Sequence, residues 1–388
     1  MKIQKLKDIC LTEITDGTHQ TPTYSEYGYI FLSSKNVTTQ KIDWDNVMFI
    51  PEKLHEELYK RVAPQIDDIL LAKNGTTGVA AIVDRDIVFD IYVSLALIRP
   101  NTEIVMPRYL LYAINNPIVK GYFDSSLKGI GVPNLHLKNI RETPIKIYDL
   151  ETQKAIVEKL DRICELISLR KQQLAKLDEL VKARFVEMFG DIIRNDKSWP
   201  IYNFSDIASS RLGKMLDAKQ QTGKYSYPYL ANFNVQWFSF NVDNLNQMDF
   251  NKAEQKEFEL RDGDLLVCEG GEIGRCAVWH NEIQPCFFQK ALHRVRCNRQ
   301  LVQPDYLAWW FKYNCNHGGF AEIAGAKATI AHLPGIKLKQ LQVSLPPLSL
   351  QNEFAAFVER VDQQKQTVQK SLEKLELMKK ALMQEYFG

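Results

Sequence analysis

Apolar residues recur at three- and four-residue spacing through two long stretches free of proline and glycine, Glu151 to Phe189 and Ser349 to Phe387. The first stripe is Ile156, Leu160, Ile163, Ile167, Leu174, Leu177, Val181 and Met188, interrupted by Arg170 and Arg184. The second is Phe354, Val358, Val361, Val368, Leu372, Leu375, Leu382 and Tyr386, interrupted by Lys365 and Lys379. That period predicts amphipathic helices carrying a coiled-coil seam. At 1.5 Å per residue each spans about 60 Å. Asp149 and Ser349 are the expected N-caps, and Gly190 and Gly388 stand where a left-handed C-terminal residue belongs. A lone helix of this length leaves its stripe in water, so the two are expected to pair antiparallel, each projecting a globular domain from an opposite end.

Elsewhere the apolar runs are short and bounded by turn residues, which predicts strands. Asp68-Ile-Leu-Leu-Ala-Lys-Asn-Gly-Thr-Thr-Gly78 and Asp264-Leu-Leu-Val-Cys-Glu-Gly-Gly-Glu-Ile-Gly274 each lead a strand into a glycine turn and out through a second strand, Val79 to Val83 or Arg275 to Trp279. Both read as hairpins. Their likeness is one sign of an internal repeat. Leu174 to Gly190 lies over Leu372 to Gly388 at an offset of 198 with eight identities, among them Lys176/Lys374, Leu177/Leu375, Phe189/Phe387 and Gly190/Gly388. The same offset places Leu6-Lys-Asp-Ile9 on Phe204-Ser-Asp-Ile207 and Leu150-Glu-Thr-Gln153 on Leu348-Ser-Leu-Gln351. The expected organisation is a domain at 1–148, a helix at 149–190, a linker at 191–198, a second domain at 199–347 and a second helix at 348–388. In fold class this is mixed α/β (α+β), two similar domains separated by two long antiparallel coiled-coil helices. Helices and framework strands match between the halves while the surface segments do not, which is what one scaffold carrying two different readers would show. The aromatic run Tyr306 to Phe311, matched by Tyr109 to Tyr112, reads as a helix packed on each core.

Composition narrows the class. At 388 residues, 45% apolar, 25% charged and net charge +2, this is an ordinary globular chain of more than one domain. No apolar stretch approaches membrane-spanning length, and the N-terminus has no secretory core, so a cytoplasmic protein is expected. Seven cysteines without a C-x-x-C pair argue for reduced thiols. Cys268, Cys276, His280, Cys286, His293 and Cys297 lack the paired spacing of a zinc site, and no metal is expected. There is no G-x-x-x-x-G-K-[ST] loop, no H-E-x-x-H and no G-x-S-x-G. An adenine methyltransferase's Asn/Asp-Pro-Pro-aromatic loop is missing, since Asn116-Pro117 runs into Ile118. The chain reads as a binder, and no catalytic residue is expected.

Ile14-Thr-Asp-Gly-Thr-His19, Tyr29 to Asn36, Gly131-Val-Pro-Asn-Leu-His136, Gly213-Lys-Met-Leu-Asp217, Pro228 to Asn232, Asn234-Val-Gln-Trp237 and Gly263 to Arg275 follow one another with the duplication and the two helices. In that order the chain resembles the DNA specificity subunit of type I restriction-modification systems over nearly its whole length. The resemblance implies two target-recognition domains, each reading half of a bipartite double-stranded DNA target, with the helices setting the gap. It implies docking of two methylation (M) subunits that make an adenine-N6 methyltransferase, and restriction (R) subunits where the system has them. S-adenosylmethionine, ATP and Mg would then belong to those partners, with no cofactor in this chain.

Amide, Arg and Lys side chains can bond base edges bidentately, so polar turn residues are the candidate readers. In the first half these are Lys35, Asn36, Lys73, Asn74, Thr76, Thr77, Lys128, Asn134 and His136. In the second they are Asn232, Asn234, Gln236, Trp237, Glu269, Glu272, Arg275, Gln289, Lys290, Lys327, Thr329 and His332. Lys73 and Glu269 face each other across the repeat as a charge reversal. Residues 1–150 hold seventeen basic and eighteen acidic side chains, which departs from the basic footprint of a DNA binder and leaves the phosphate clamp to segregated charge or to the partners. The competing readings are a coiled-coil scaffold whose paired domains bind protein or carbohydrate, and a Cys/His enzyme built on Cys276 and His280.

Overall fold

A computed structural model describes residues 1–127, 134–217, 221–321 and 332–388. It divides into two compact units, one of residues 1–172 with 369–388, the other of residues 173–368.

The first unit opens with β1 (Lys2–Lys5), β2 (Thr15–Asp16), β3 (Tyr29–Leu32) and β4 (Met48–Ile50), then α1 (Glu52–Arg61). Next come β5 (Ile69–Ala72), β6 (Ala80–Ile82), β7 (Phe89–Ile91) and β8 (Leu95–Ile98). Helices α2 (Pro107–Ile114), α3 (Pro117–Ser126) and α4 (Leu137–Arg141) and strand β9 (Pro144–Ile147) lead into the long helix α5 (Leu150–Phe189). Three small sheets result: β1-β9, the antiparallel β2-β8-β5-β6, and β4-β3-β7, in which β3 and β7 are parallel. The strands of the middle sheet are buried on both faces, which is why β5 reads Ile-Leu-Leu-Ala without alternation.

The second unit repeats this plan. It contains β10 (Ile201–Asn203), α6 (Phe204–Ile207), β11 (Ala208–Leu212), β12 (Ser226–Leu230), β13 (Val235–Gln236), β14 (Ser239–Phe240), β15 (Asn246–Asp249) and α7 (Lys252–Phe258). Then follow β16 (Leu265–Cys268), β17 (Cys276–Val278), β18 (Phe287–Phe288), β19 (Leu292–Cys297), α8 (Pro304–Asn316), α9 (Gly335–Lys339), β20 (Gln342–Ser344) and the first half of α10 (Leu348–Phe387), whose remainder from Gln369 belongs to the first unit. Its sheets β10-β20, β11-β19-β16-β17 and β15-β12-β18 match those of the first unit strand for strand, including the single parallel pair; β13-β14 is an addition. Both expected hairpins are present as β5-β6 and β16-β17, with Gly75 and Gly78, and Gly271 and Gly274, at positive φ in the turns.

Within each unit the two long helices run antiparallel. In the first, Lys159 of α5 reaches the Tyr386 hydroxyl of α10 at 3.3 Å and Lys171 pairs with Glu376 at 3.0 Å. In the second, Asp178 pairs with Lys365 at 2.7 Å and Arg184 with Glu353 at 2.8 Å. The sequence stripe is buried or half-buried throughout, but its ends belong to domain cores. Ile156 and Leu160 join Tyr109, Leu110 and Phe387 in the first unit, and Val181, Phe185 and Phe189 join Tyr306, Phe311 and Phe354 in the second. Phe185 and Phe189, outside the predicted stripe, are essentially inaccessible. Leu177 and Val358 pack against the second core and Leu382 against the first, which leaves Ile163, Ile167 and Leu174 with Val368, Leu372 and Leu375 as the thinner middle. Asp149 caps α5 by accepting the Thr152 amide at 2.8 Å. Ser349 does not cap α10. It lies inside the first turn, because Pro347, with φ preset by its ring, occupies the position equivalent to Asp149 and accepts the Leu350 amide at 2.9 Å.

Each long helix is fastened to its domain by one glutamine. Gln153, fully buried, accepts the Met106 amide at 2.9 Å and donates to the Ile104 and Tyr148 carbonyls at 2.9 and 2.8 Å. Gln351 does the same with the Gln303 amide and the Leu301 and Pro346 carbonyls, at 2.9, 3.1 and 2.7 Å. The hairpins are anchored alike: Asp68 takes a two-point pair from Arg99, and Asp264 from Arg296.

Candidate nucleic-acid interface

In the first unit five separate segments meet at one end of the sheets. Val93 donates to the Thr18 carbonyl at 2.9 Å, Ser34 to the Ser94 hydroxyl at 3.0 Å, Lys73 to the Ser94 carbonyl at 2.8 Å and Leu135 to the Lys73 carbonyl at 2.9 Å. Gly17 makes the approach possible, since a Cβ there would fall on the Ile91 carbonyl. The result is an open polar cup of about 400 Å³ lined by Asp16, His19, Lys73, Asn74, Asn134 and His136.

The second unit builds the same junction. Lys290 donates to the Lys214 carbonyl at 2.8 Å, Gln289 to Leu230 at 2.9 Å, Glu269 to Ala291 at 2.9 Å and Leu333 to Glu269 at 2.7 Å. A Cβ on Gly213 would strike the Gln289 carbonyl, as Gly17 requires of Ile91. Of the described candidates, Lys73, Asn74, Asn134 and His136 line the first junction, and Glu269, Gln289 and Lys290 lie at the second, with His332 bridged to Gly270 beside them. Lys128, Lys327 and Thr329 lie outside the described residues.

What the candidates can do differs. Lys35, Thr76 and His136 in the first unit, and Gln236, Glu272, Lys290 and His332 in the second, are exposed; Asn74, Thr77, Asn134, Trp237, Glu269, Arg275 and Gln289 are half-buried. Asn36 and Asn234 are framework. Each is buried, accepts a backbone amide three residues back at 2.9 Å, and donates to loop carbonyls, leaving no amide atom for a base. Asn232 holds the Gly270 carbonyl at 3.0 Å and is bonded by Arg275, so both side chains brace the turn. Trp237 donates to Glu272 at 2.6 Å under the Lys312 ammonium, 4.2 Å above its ring.

The charge reversal at Lys73 and Glu269 is not symmetrical. Lys73 is buried and ion-paired with Asp16, which also takes bonds from His19 and Arg61, both at 3.3 Å. Burial pushes the Asp16 carboxyl up, but Lys73 and then His19 outweigh it and hold the carboxyl below its ordinary value. Glu269 carries no such partner among the described residues. The sequence could not show the Lys73 pairing, because its partner lies 57 residues away with no local signature.

The cysteine and histidine set is dispersed in role. Cys268 and Cys276 sit on paired strands with thiols pushed up by burial, that of Cys268 to about 11. The His293 ring bonds the Leu333 carbonyl at 3.1 Å, and burial lowers its pKa. Such thiols are poor nucleophiles.

Two further grooves occupy equivalent positions. In the second unit Ala183, Val186, Trp309, Lys312 and Tyr313 line about 590 Å³ between α5 and α8. In the first, Tyr112, Asn115, Leu377, Lys380 and Ala381 line about 570 Å³ between α2 and α10.

Two copies of one mixed scaffold, each closing on a polar junction of divergent side chains, define a duplicated recognition protein. The chain belongs to the family described as type I restriction modification DNA specificity domain, whose model matches residues 1–179 and again 196–377. It is 19% identical over 379 residues to the type I restriction enzyme EcoKI specificity subunit of Escherichia coli strain K12, covering 92% of this chain and 81% of that one. It is 22% identical over 401 residues to the putative type I restriction enzyme MjaX specificity subunit of Methanocaldococcus jannaschii, covering 98% and 91%. The fold matches the S subunit of a type I restriction-modification system from M. genitalium with a TM-score of 0.60 at 13% identity, over 100% of this chain and 96% of that one.

Proposed function

We propose that each unit reads one half of a bipartite double-stranded DNA target through its junction, and that the α5/α10 helices set the gap between the halves. The observation that carries this is the twinned junction: the same backbone bonds recur in both units while the exposed side chains on them differ. A scaffold selected for one ligand would repeat its polar residues; here matched positions differ, Lys35 against Phe233, Lys73 against Glu269 and Asn134 against His332.

In this reading the chain is not an enzyme. Methylation subunits dock on the helices, and the two apolar grooves beside α8 and α2 are where their surfaces would bury. Adenine-N6 transfer from S-adenosylmethionine, and any ATP- and Mg-dependent cleavage by restriction subunits, belong to those partners. The setting is the cytoplasm; among the described residues no helix is long and apolar enough to cross a membrane. A paired scaffold for protein or carbohydrate is disfavoured by the match of both halves to a DNA specificity family.

The test is co-expression with the methylation subunit and base-resolution mapping of N6-methyladenine. Two half-sites separated by a fixed gap are expected. Glu269→Gln should alter recognition in one half only, since a carboxylate can accept from cytosine N4 and an amide offers both donor and acceptor. Methylation without sequence preference would reject the reading.

A further inference from the structure

The turn that carries Asn36 in the first unit and the turn that carries Asn234 in the second are the same structure. Both are short 3-10 turns, Ser34–Val37 and Asn232–Asn234, closed by the same buried asparagine bonding the same backbone position. What stands at the outer tip differs: Lys35 in one, Phe233 in the other. Both are exposed, Phe233 to 63%.

A single exposed phenylalanine is unremarkable by itself. Here its backbone is held from both sides. Gln236 Nε2 donates to the Phe233 carbonyl at 3.0 Å, and the preceding Asn232 is tied to Gly270 at 3.0 Å and to Arg275 at 3.1 Å. Asn234 behind it is buried and bonded to the Asn241 carbonyl at 3.0 Å. The ring is therefore presented on a braced turn, yet it stacks on no ring and lies under no cation among the described residues. Its neighbours on the turn, Asn232, Asn234 and Gln236, carry no charge. The cation that reaches the turn, Arg275, is engaged by the Asn232 carbonyl and Oδ1 at 3.1 and 3.2 Å, and the apolar group that the major groove offers an exposed ring is the C5-methyl of thymine.

Resting on the DNA-reading assignment above, we propose that Phe233 is a specificity residue of the second unit and packs against a thymine methyl in the major groove. Lys35, at the equivalent tip, supplies the opposite chemistry and donates to guanine or to a phosphate. One framework turn then reads differently in the two units through a single side chain.

The test uses the complex with its methylation subunit and target duplexes in which each thymine is replaced, one at a time, by deoxyuridine, which lacks only the methyl. At one thymine of one half-site the wild-type complex should lose about fourfold in affinity, the equivalent of one buried methyl group. Phe233→Ala should bind the thymine duplex correspondingly less well and be indifferent to that deoxyuridine, while Phe233→Leu retains part of the dependence. Deoxyuridine in the other half-site should affect wild type and variants equally. A wild-type complex with an intact bipartite motif and no methyl dependence overturns the Phe233 assignment alone, as does Phe233→Ala with the dependence preserved. A wild-type complex without sequence preference overturns the DNA reading and this inference with it. Should Phe233→Ala fail to assemble, the wild-type deoxyuridine series and Phe233→Leu decide the question.

Discussion

Gln153 is the sharpest place to test how a helix is fixed to its domain. Replacing it with Met preserves volume but removes three buried hydrogen bonds, orphaning the Met106 amide and depriving the Ile104 and Tyr148 carbonyls of a donor. An unsatisfied buried amide costs about 1–3 kcal/mol, and each carbonyl loses about 0.5–1.5 kcal/mol of net bonding. The expected loss is about 3 kcal/mol. Gln153→Ala adds a cavity and should cost about 1 kcal/mol more. The assay is urea unfolding combined with hydrogen exchange at the Met106 amide, which should lose its protection in both variants while the Gln303 amide keeps it. Gln351→Met should show the converse. A Gln153→Met protein within about 0.5 kcal/mol of wild type, the ordinary range for a neutral surface change, with Met106 still protected, would refute the clamp.

Phe387→Ala should destabilise the first unit and Phe189→Ala the second by about 3–5 kcal/mol each, since both rings are buried in domain cores. Five of the six tryptophans, Trp199, Trp237, Trp279, Trp309 and Trp310, belong to the second unit. Tryptophan fluorescence should therefore register Phe189→Ala and miss most of Phe387→Ala, which circular dichroism detects. The Asp16 carboxyl is held below its ordinary value, so its stabilisation of the Lys73 turn is present above the unfolded carboxylate pKa and is lost as pH falls through the lower folded value. Exchange of the Leu135 amide should accelerate only in strong acid, and Lys73→Met should move that onset to higher pH; an unchanged onset contradicts the pairing. Inserting one 5.4 Å turn into both long helices should change the preferred gap in the methylation map and leave both half-sites intact.

The repeat, the hairpins and the long helices were legible because they are periodic, and a constant offset needs no structure to be seen. Asn36 and Asn234 stand 198 residues apart, as do Gln153 and Gln351. Identity at the repeat offset inside otherwise divergent segments marks scaffold, and in both pairs the side-chain amides bond the backbone. Lys73 was illegible for a different reason: whether a lysine in a glycine turn faces solvent or a buried carboxylate depends on tertiary pairing with Asp16 across the β2-β8-β5 sheet. Ser349 misled because a good capping residue stands two positions beyond Pro347, which opens the helix anyway. Phe233 carries no polar signature of base contact, although the offset of 198 aligns it with Lys35.

The near-neutral charge becomes intelligible once the pairs are located. Arg99, Arg296, Lys73 and Lys214 look like a DNA footprint by position, yet each is engaged by a carboxylate, from Asp68, Asp264, Asp16 and Glu254 respectively. Around the junctions only Lys35, Lys138 and Lys290 are exposed without an ion pair among the described residues, and Lys128 and Lys327 lie outside them. If all five touched phosphates, the logarithm of affinity would fall against the logarithm of salt with a slope no steeper than about −5. The free chain should therefore bind duplex DNA with a shallow salt dependence, steepening only when methylation subunits add their own cations. Fluorescence anisotropy across a salt series, with and without the methylation subunit, measures both slopes. A free chain as steep as the assembled complex would mean that the paired arginines and lysines release their carboxylates on binding DNA, and that the junctions rearrange rather than dock as built.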